Sequence, residues 1–113
     1  MTAVQSDIII ESGSTYSESF RITGVNYHAS HVVIMSFRRD HSSSTALKVL
    51  SSATGGIAVS GSGSSHTDIA VTLTATETAA FPNPFRGVYT IEATLSGVST
   101  RVMEGSFFTT PEA

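Results

Sequence analysis

The sequence predicts an all-β fold, an antiparallel sandwich of about seven or eight short strands, and three observations carry that reading. Short apolar or alternating runs recur along the 113 residues and are separated by Gly-, Pro-, Asn- and Ser-rich breaks. Serine and threonine make up about 30% of the chain, and β-branched residues suit a pleated surface while serine and glycine suit turns. The helix signal is confined to one short segment near residues 75–81.

Taken in order, residues 7–11 (D-I-I-I-E) form an apolar run that suits a strand with both faces partly covered, and Gly13 breaks it. Residues 15–23 alternate. Tyr16, Glu18, Phe20 and Ile22 share one side and Ser17, Ser19 and Arg21 the other; Glu18, the exception on the apolar side, is expected near an end or a rim. Gly24 closes this strand, and residues 26–30 read as a loop. Residues 32–39 open with continuous apolarity, which favours a central strand, with Val33, Met35 and Phe37 facing inward. Residues 47–50 and 57–60 flank a Thr54-Gly55-Gly56 turn and read as a hairpin. Residues 61–65 (G-S-G-S-S) read as a mobile loop leading into a strand at 69–73.

Thr74 with Glu77 three residues later is a capping box, in which each side chain satisfies the other's free amide. Ala75, Ala79 and Ala80 favour helix, Phe81 can pin its end to the core, and Pro82 stops it. From Gly87 the chain extends again, with Tyr89, Ile91, Ala93 and Leu95 on one face. Ser96-Gly97 is a tight turn, and residues 98–109 form the partner strand, with a bulge expected near Gly105 because Val102-Met103 and Phe107-Phe108 break the phase. Such a set of strands points to a sandwich of immunoglobulin-like type, without the Cys-Trp-Cys signature; a small jelly roll or open barrel is the alternative.

Charge and composition narrow the function classes. The net charge is −3 and the six basic residues are spread along the sequence, so no stripe for a phosphate backbone is expected. The absence of cysteine excludes a disulfide scaffold and a thiolate metal site, and fits folding in a reducing cytoplasm. No apolar run reaches a membrane span and the first residues are polar, so a soluble chain without a secretion signal is expected.

The chemistry-bearing residues form no constellation. His28, His31, His41 and His66 lack the spacing of zinc ligands. Ser64, His66 and Asp68 alternate on one stretch, which cannot hold a nucleophile–base–orienter relay, and the Gly-x-Ser-x-Gly elbow is missing. The Gly-Ser loop has no phosphate-loop lysine, and Asp7, Glu11, Asp40 and Asp68 form no calcium loop. Arg101 and Glu104 suit a surface charge pair, and the aromatic residues a core. No enzyme activity, cofactor, metal, nucleic acid, membrane or small-molecule substrate is therefore expected.

An ordered set of segments resembles a family of small structural proteins of tailed-bacteriophage and prophage virions. These are D-I-I-I-E-S-G-S-T-Y at 7–16, Phe37-Arg38, Gly55-Gly56-Ile57, the capping segment 74–80, Gly87-Val88-Tyr89 through Glu92, and Arg101 through Gly105. Together they span nearly the whole chain. Residues 26–30 (N-Y-H-A-S) depart from the Asp-Leu-Thr-Gly-Tyr-like segment common in that family. The resemblance extends to the immunoglobulin-like N-terminal module of upper baseplate proteins, where a long extension follows; a chain ending at Ala113 is expected to stand alone. It implies a non-enzymatic adaptor or attachment module in the tail, baseplate or fibre apparatus, located in the virion and contacting other virion proteins in multiple symmetric copies. A capsid decoration protein is the near alternative, and a carbohydrate- or ligand-binding module for host recognition is the alternative of a different class. The expected contacts are Ile8, Ile9 and Ile10, the loop residues Asn26, Tyr27, His28 and His31, and the corner Pro82, Asn83, Pro84, Phe85 and Arg86.

Overall fold

The computed structural model describes residues 4–24, 27, 31–40, 45–62, 65–82 and 84–110. Among these residues nine strands and one helical turn follow one another: β1 (Val4–Gln5), β2 (Ile8–Glu11), β3 (Tyr16–Thr23), β4 (Val32–Arg38), β5 (Lys48–Ser51), β6 (Ile57–Ser62), β7 (His66–Leu73), α1 (Ala75–Ala79), β8 (Phe85–Leu95) and β9 (Val98–Thr110). They form two sheets. The larger runs β1-β9-β8-β4-β5, with β2 also paired to β9, and the smaller runs β3-β7-β6. The chain passes from large sheet to small at β2–β3, back at β3–β4, across at β5–β6 and back at β7–β8. This interleaving of two packed sheets is the immunoglobulin-like sandwich the sequence predicts.

Alternation explains the core. Val33, Met35 and Phe37 of β4, Tyr89, Ile91 and Ala93 of β8, and Phe107 of β9 are all fully buried and face Ile69, Val71 and Leu73 of β7. β4 lies between β8 and β5, the central position its apolar run calls for. Phe37, Phe81 and Phe107 meet edge to face or tilted, with ring centroids 5.2–5.4 Å apart. Phe81 thereby pins the end of α1. The capping box forms as expected: Thr74 Oγ1 accepts the Glu77 amide at 3.2 Å and Glu77 Oε1 accepts the Thr74 amide at 2.9 Å.

Four expectations need correction. The pairing is not wholly antiparallel, because β1 and β2 run parallel to β9. β5 and β6 are not a hairpin: β5 pairs with β4 and β6 with β7, and a single isolated bridge joins Ser51 to Gly56. Gly55 and Gly56, at φ +137° and +89°, turn the chain out of one sheet into the other, and a Cβ on Gly56 would lie 2.5 Å from Leu50 Cδ2. The register shift on β9 opposes Ile91/Glu92 and makes Val102 the extra residue, three positions before Gly105. Val102 and Met103 are both buried as a result. Finally, residues 61–62 belong to β6 and pair with β7, so the expected Gly-Ser loop is shorter than its composition suggests; residues 63 and 64 lie outside the described residues.

Candidate interaction face

The outward faces of the two sheets differ. On the small sheet the outward residues are Ser17, Ser19, Arg21 and Thr23 of β3, Asp68, Ala70 and Thr72 of β7, and Ala58 and Ser60 of β6. These are small or polar, and Asp68 is tied by Arg21, whose guanidinium donates to both carboxylate oxygens at 2.8 and 3.1 Å. That bond holds the Asp68 carboxyl below the ordinary carboxylate range, and His66 lies 3.6 Å away.

The large sheet carries the exposed apolar side chains. Ile9, Val32, Val49, Leu95 and Val98 are the exposed large aliphatics among the described residues, and every one belongs to this sheet. Ile9, Val32 and Val49 stand on its outer face, and Leu95 and Val98 flank the Ser96-Gly97 turn at the tip of the β8–β9 hairpin. Both turn residues have positive φ, at 52° and 81°, the geometry that closes a two-residue hairpin.

The same face gathers basic residues that are far apart in the sequence. Arg38 ends β4 opposite Val88, and Arg86 stands two residues before Val88 on the neighbouring strand. Arg86 lies over the Phe108 ring, 5.4 Å from its centroid, and Arg39 lies over the Phe85 ring at 5.3 Å. Arg39 and Arg86 border one shallow depression with Val88 and Ser106. Arg38 and Arg101 border the next, with Ser36, Val88 and Thr90. Arg101 is paired with Glu104 at 3.3 Å, whereas Arg38, Arg39 and Arg86 form no ion pair among the described residues. The sequence had suggested dispersed basic charge; antiparallel pairing of β4 with β8 brings Arg38 and Arg39 beside Arg86. The adjacent Arg38-Arg39 pair was the one available signal, and it did not reveal its neighbour.

The expected contact residues divide. Ile8 and Ile10 are buried against the core and cannot serve as contacts; alternation in β2 leaves Ile9 alone outward, 66% exposed. Ile9 pairs in register with Phe108, which pairs with Arg86, so one predicted segment does reach the face described above. Tyr27 is half-buried: its amide donates to the Thr67 hydroxyl at 2.9 Å and its ring meets His31 edge-on at 5.0 Å. Asn26, His28 and Asn83 lie outside the described residues. Pro82 is half-buried and its carbonyl accepts the Thr109 hydroxyl at 2.6 Å, Pro84 is exposed, and Phe85 packs 5.9 Å from Phe107 while its other side carries Arg39. Beside this corner an apolar hollow opens between Leu47, Thr76, Ala80, Phe81 and Pro82, rimmed by the 2.6 Å Lys48–Glu77 ion pair. Among the described residues no group of three or more His, Asp or Glu is placed to share a metal ion.

No family model matches the sequence, and no curated protein matches it. Among solved structures the chain is similar to the extracellular domain of the voltage-gated sodium channel beta4 subunit, described there as forming parallel homodimers that explain its role in cell–cell adhesion. The two share 12% identity over 100% of this chain and 97% of that one, with a TM-score of 0.46. A likeness at that distance carries no argument about partner or activity, and the assignment to an immunoglobulin-like sandwich rests on the strand order and pairing of this chain itself.

Proposed function

We propose that this chain is a non-enzymatic interaction module that docks onto other proteins through the outer face of its large sheet. The observation that carries the reading is the segregation of exposed aliphatic side chains: all those described lie on the large sheet, and the outer face of the small sheet is small and polar. Exposed large aliphatics confined to one side of a small sandwich, with the other side small and polar, favour that side as the contact surface. The ordered resemblance to small virion proteins gives the module a setting, as an adaptor or attachment subunit in the tail, baseplate or fibre apparatus of a tailed bacteriophage.

Labelling tests the setting. Particles from a lysate carrying a tagged copy of the chain are expected to bind gold-conjugated antibody at the tail or its tip. Label in three-fold clusters over the capsid would assign the chain to capsid decoration instead, and unlabelled particles would remove the virion reading. The docking face is tested by Ile9→Ser and Val49→Ser. Both are expected to reduce incorporation into particles several-fold with little change in melting temperature, since both side chains are more than half exposed.

A further inference from the structure

We propose that Arg38, Arg39 and Arg86, framed by Phe85 and Phe108, form a recognition patch for an acidic, carboxylate-bearing segment of the partner protein. The inference rests on the reading that the outer face of the large sheet docks a protein, and it names the chemistry of what docks there.

Three observations converge. First, Arg38 borders one of two depressions that share Val88, and Arg39 and Arg86 border the other, none with an ion-pair partner among the described residues, on a chain whose net charge is −3. Like charges held together on a sheet repel, and an incoming anion relieves that repulsion. Second, the guanidinium carbons of Arg39 and Arg86 lie over the Phe85 and Phe108 rings, 5.3 and 5.4 Å from their centroids. The cation–π contacts help hold the two guanidiniums in place, and a guanidinium's planar fork of N–H donors matches a carboxylate through two parallel hydrogen bonds. Third, Arg38 and Arg86 occupy diagonal positions on adjacent strands, roughly 7–8 Å apart at their α-carbons. Alternate residues of an extended peptide project their side chains to one side at about 7 Å intervals. An extended segment with Glu or Asp at every second residue therefore matches the spacing. A long polyanion fits less well. Three arginines release few counterions, and the negative chain repels a nucleic acid at a distance.

The full chain is titrated with a fluorescent synthetic peptide of alternating Glu and Val, with its Gln-for-Glu counterpart, and with a single-stranded DNA oligonucleotide of equal charge. Binding of the Glu peptide is expected, weakening with added salt, at least tenfold tighter than binding of the Gln peptide or the DNA. The double variant Arg39→Gln/Arg86→Gln should lose at least tenfold in affinity at unchanged melting temperature. Arg39→Lys/Arg86→Lys should fall between, because it keeps charge and loses the fork. Arg21→Gln, on the small sheet, should bind as the parent does. Equal binding of the Glu and Gln peptides, preference for DNA, or full affinity in the double glutamine variant would each overturn the proposal. Incorporation into particles separates the two claims. If Ile9→Ser blocks it while the glutamine variant enters normally, the docking face stands and the acidic partner falls. If neither variant has an effect, both fall.

Discussion

The Tyr89 hydroxyl donates a hydrogen bond to the Ser6 carbonyl, joining the middle of β8 to the link between β1 and β2. Gly105 makes room for it: a Cβ there would collide with that carbonyl and come 3.1 Å from the Tyr89 ring. Glycine at this position of the Arg101–Gly105 segment is thus a packing requirement, and it ties the first strands of the fold to the last.

That bond predicts an alkaline limit. Burial, and then the charges of Asp7 and Glu18, push the Tyr89 phenol up to about 12, from the ordinary value near 10. A raised folded value means the native state holds the proton more tightly than the unfolded chain. Its stabilisation is therefore complete below pH ~10 and is lost as pH climbs towards about 12. Thermal melts across this window should show falling stability. Tyr89→Phe should roughly halve the slope, since Tyr16, raised by burial and by its bond to Glu18, supplies the rest. The variant should also lose about 1 kcal/mol at neutral pH with the hydrogen bond.

Thr78 predicts a larger loss from a smaller change. Its buried hydroxyl accepts the Gly13 amide at 3.1 Å and lies 2.8 Å from the Ser14 carbonyl, fastening α1 to the β2–β3 turn. Thr78→Val keeps the shape and strands both backbone groups, so a destabilisation of about 2 kcal/mol is expected in urea titration. Thr76→Val, exposed on the same turn, should cost much less.

Gly87 lies between two arginine-bearing positions of the face. A Cβ there would sit 2.5 Å from the Arg38 carbonyl and 2.6 Å from the Phe107 ring. Gly87→Ala is expected to destabilise by about 3 kcal/mol, because both neighbours are held by the core. Gly97→Ala, in open space at φ +81°, should cost about 1 kcal/mol from backbone strain alone. Chemical denaturation of the pair separates crowding from conformation.

The acid limb follows from Glu77. The Lys48 ammonium, followed by the Thr74 amide, holds its carboxyl below the usual range. A depressed folded value means stability is present above the ordinary carboxylate pKa and is lost as pH falls through the lower one. Glu77→Gln preserves the capping box, which accepts Gln at this position. It should reduce the acid dependence of the melting temperature without abolishing the helical turn seen by hydrogen exchange at Thr78.

Why some of this was readable in the sequence and some was not comes down to the range of the interactions. Alternation placed Val33, Met35 and Phe37 inward, and the Thr74–Glu77 box gave the helical turn, because each depends on neighbours a few residues away. The β5–β6 misreading had a local cause too, since Gly-Gly marks a change of direction without saying into which sheet. The parallel pairing of β2 with β9 joins residues about a hundred positions apart, and no local pattern encodes it. The candidate face followed the same division. Ile9 was in view as part of a run of three isoleucines, but which of the three faces outward depends on the β9 partner. Arg38, Arg39 and Arg86 could be seen as neighbours only once β4 was laid against β8.

The parallel ladder of β1 and β2 on β9 has a mechanical consequence. Val4 lies opposite Met103 and Glu11 opposite Thr110, so the chain enters this ladder at one end and leaves at the other. Tension applied at Val4 and Thr110 would pull the two strands lengthwise past each other, straining their hydrogen bonds together instead of opening them one after another. A subunit strung between neighbours through its two ends would bear load in its stiffest direction.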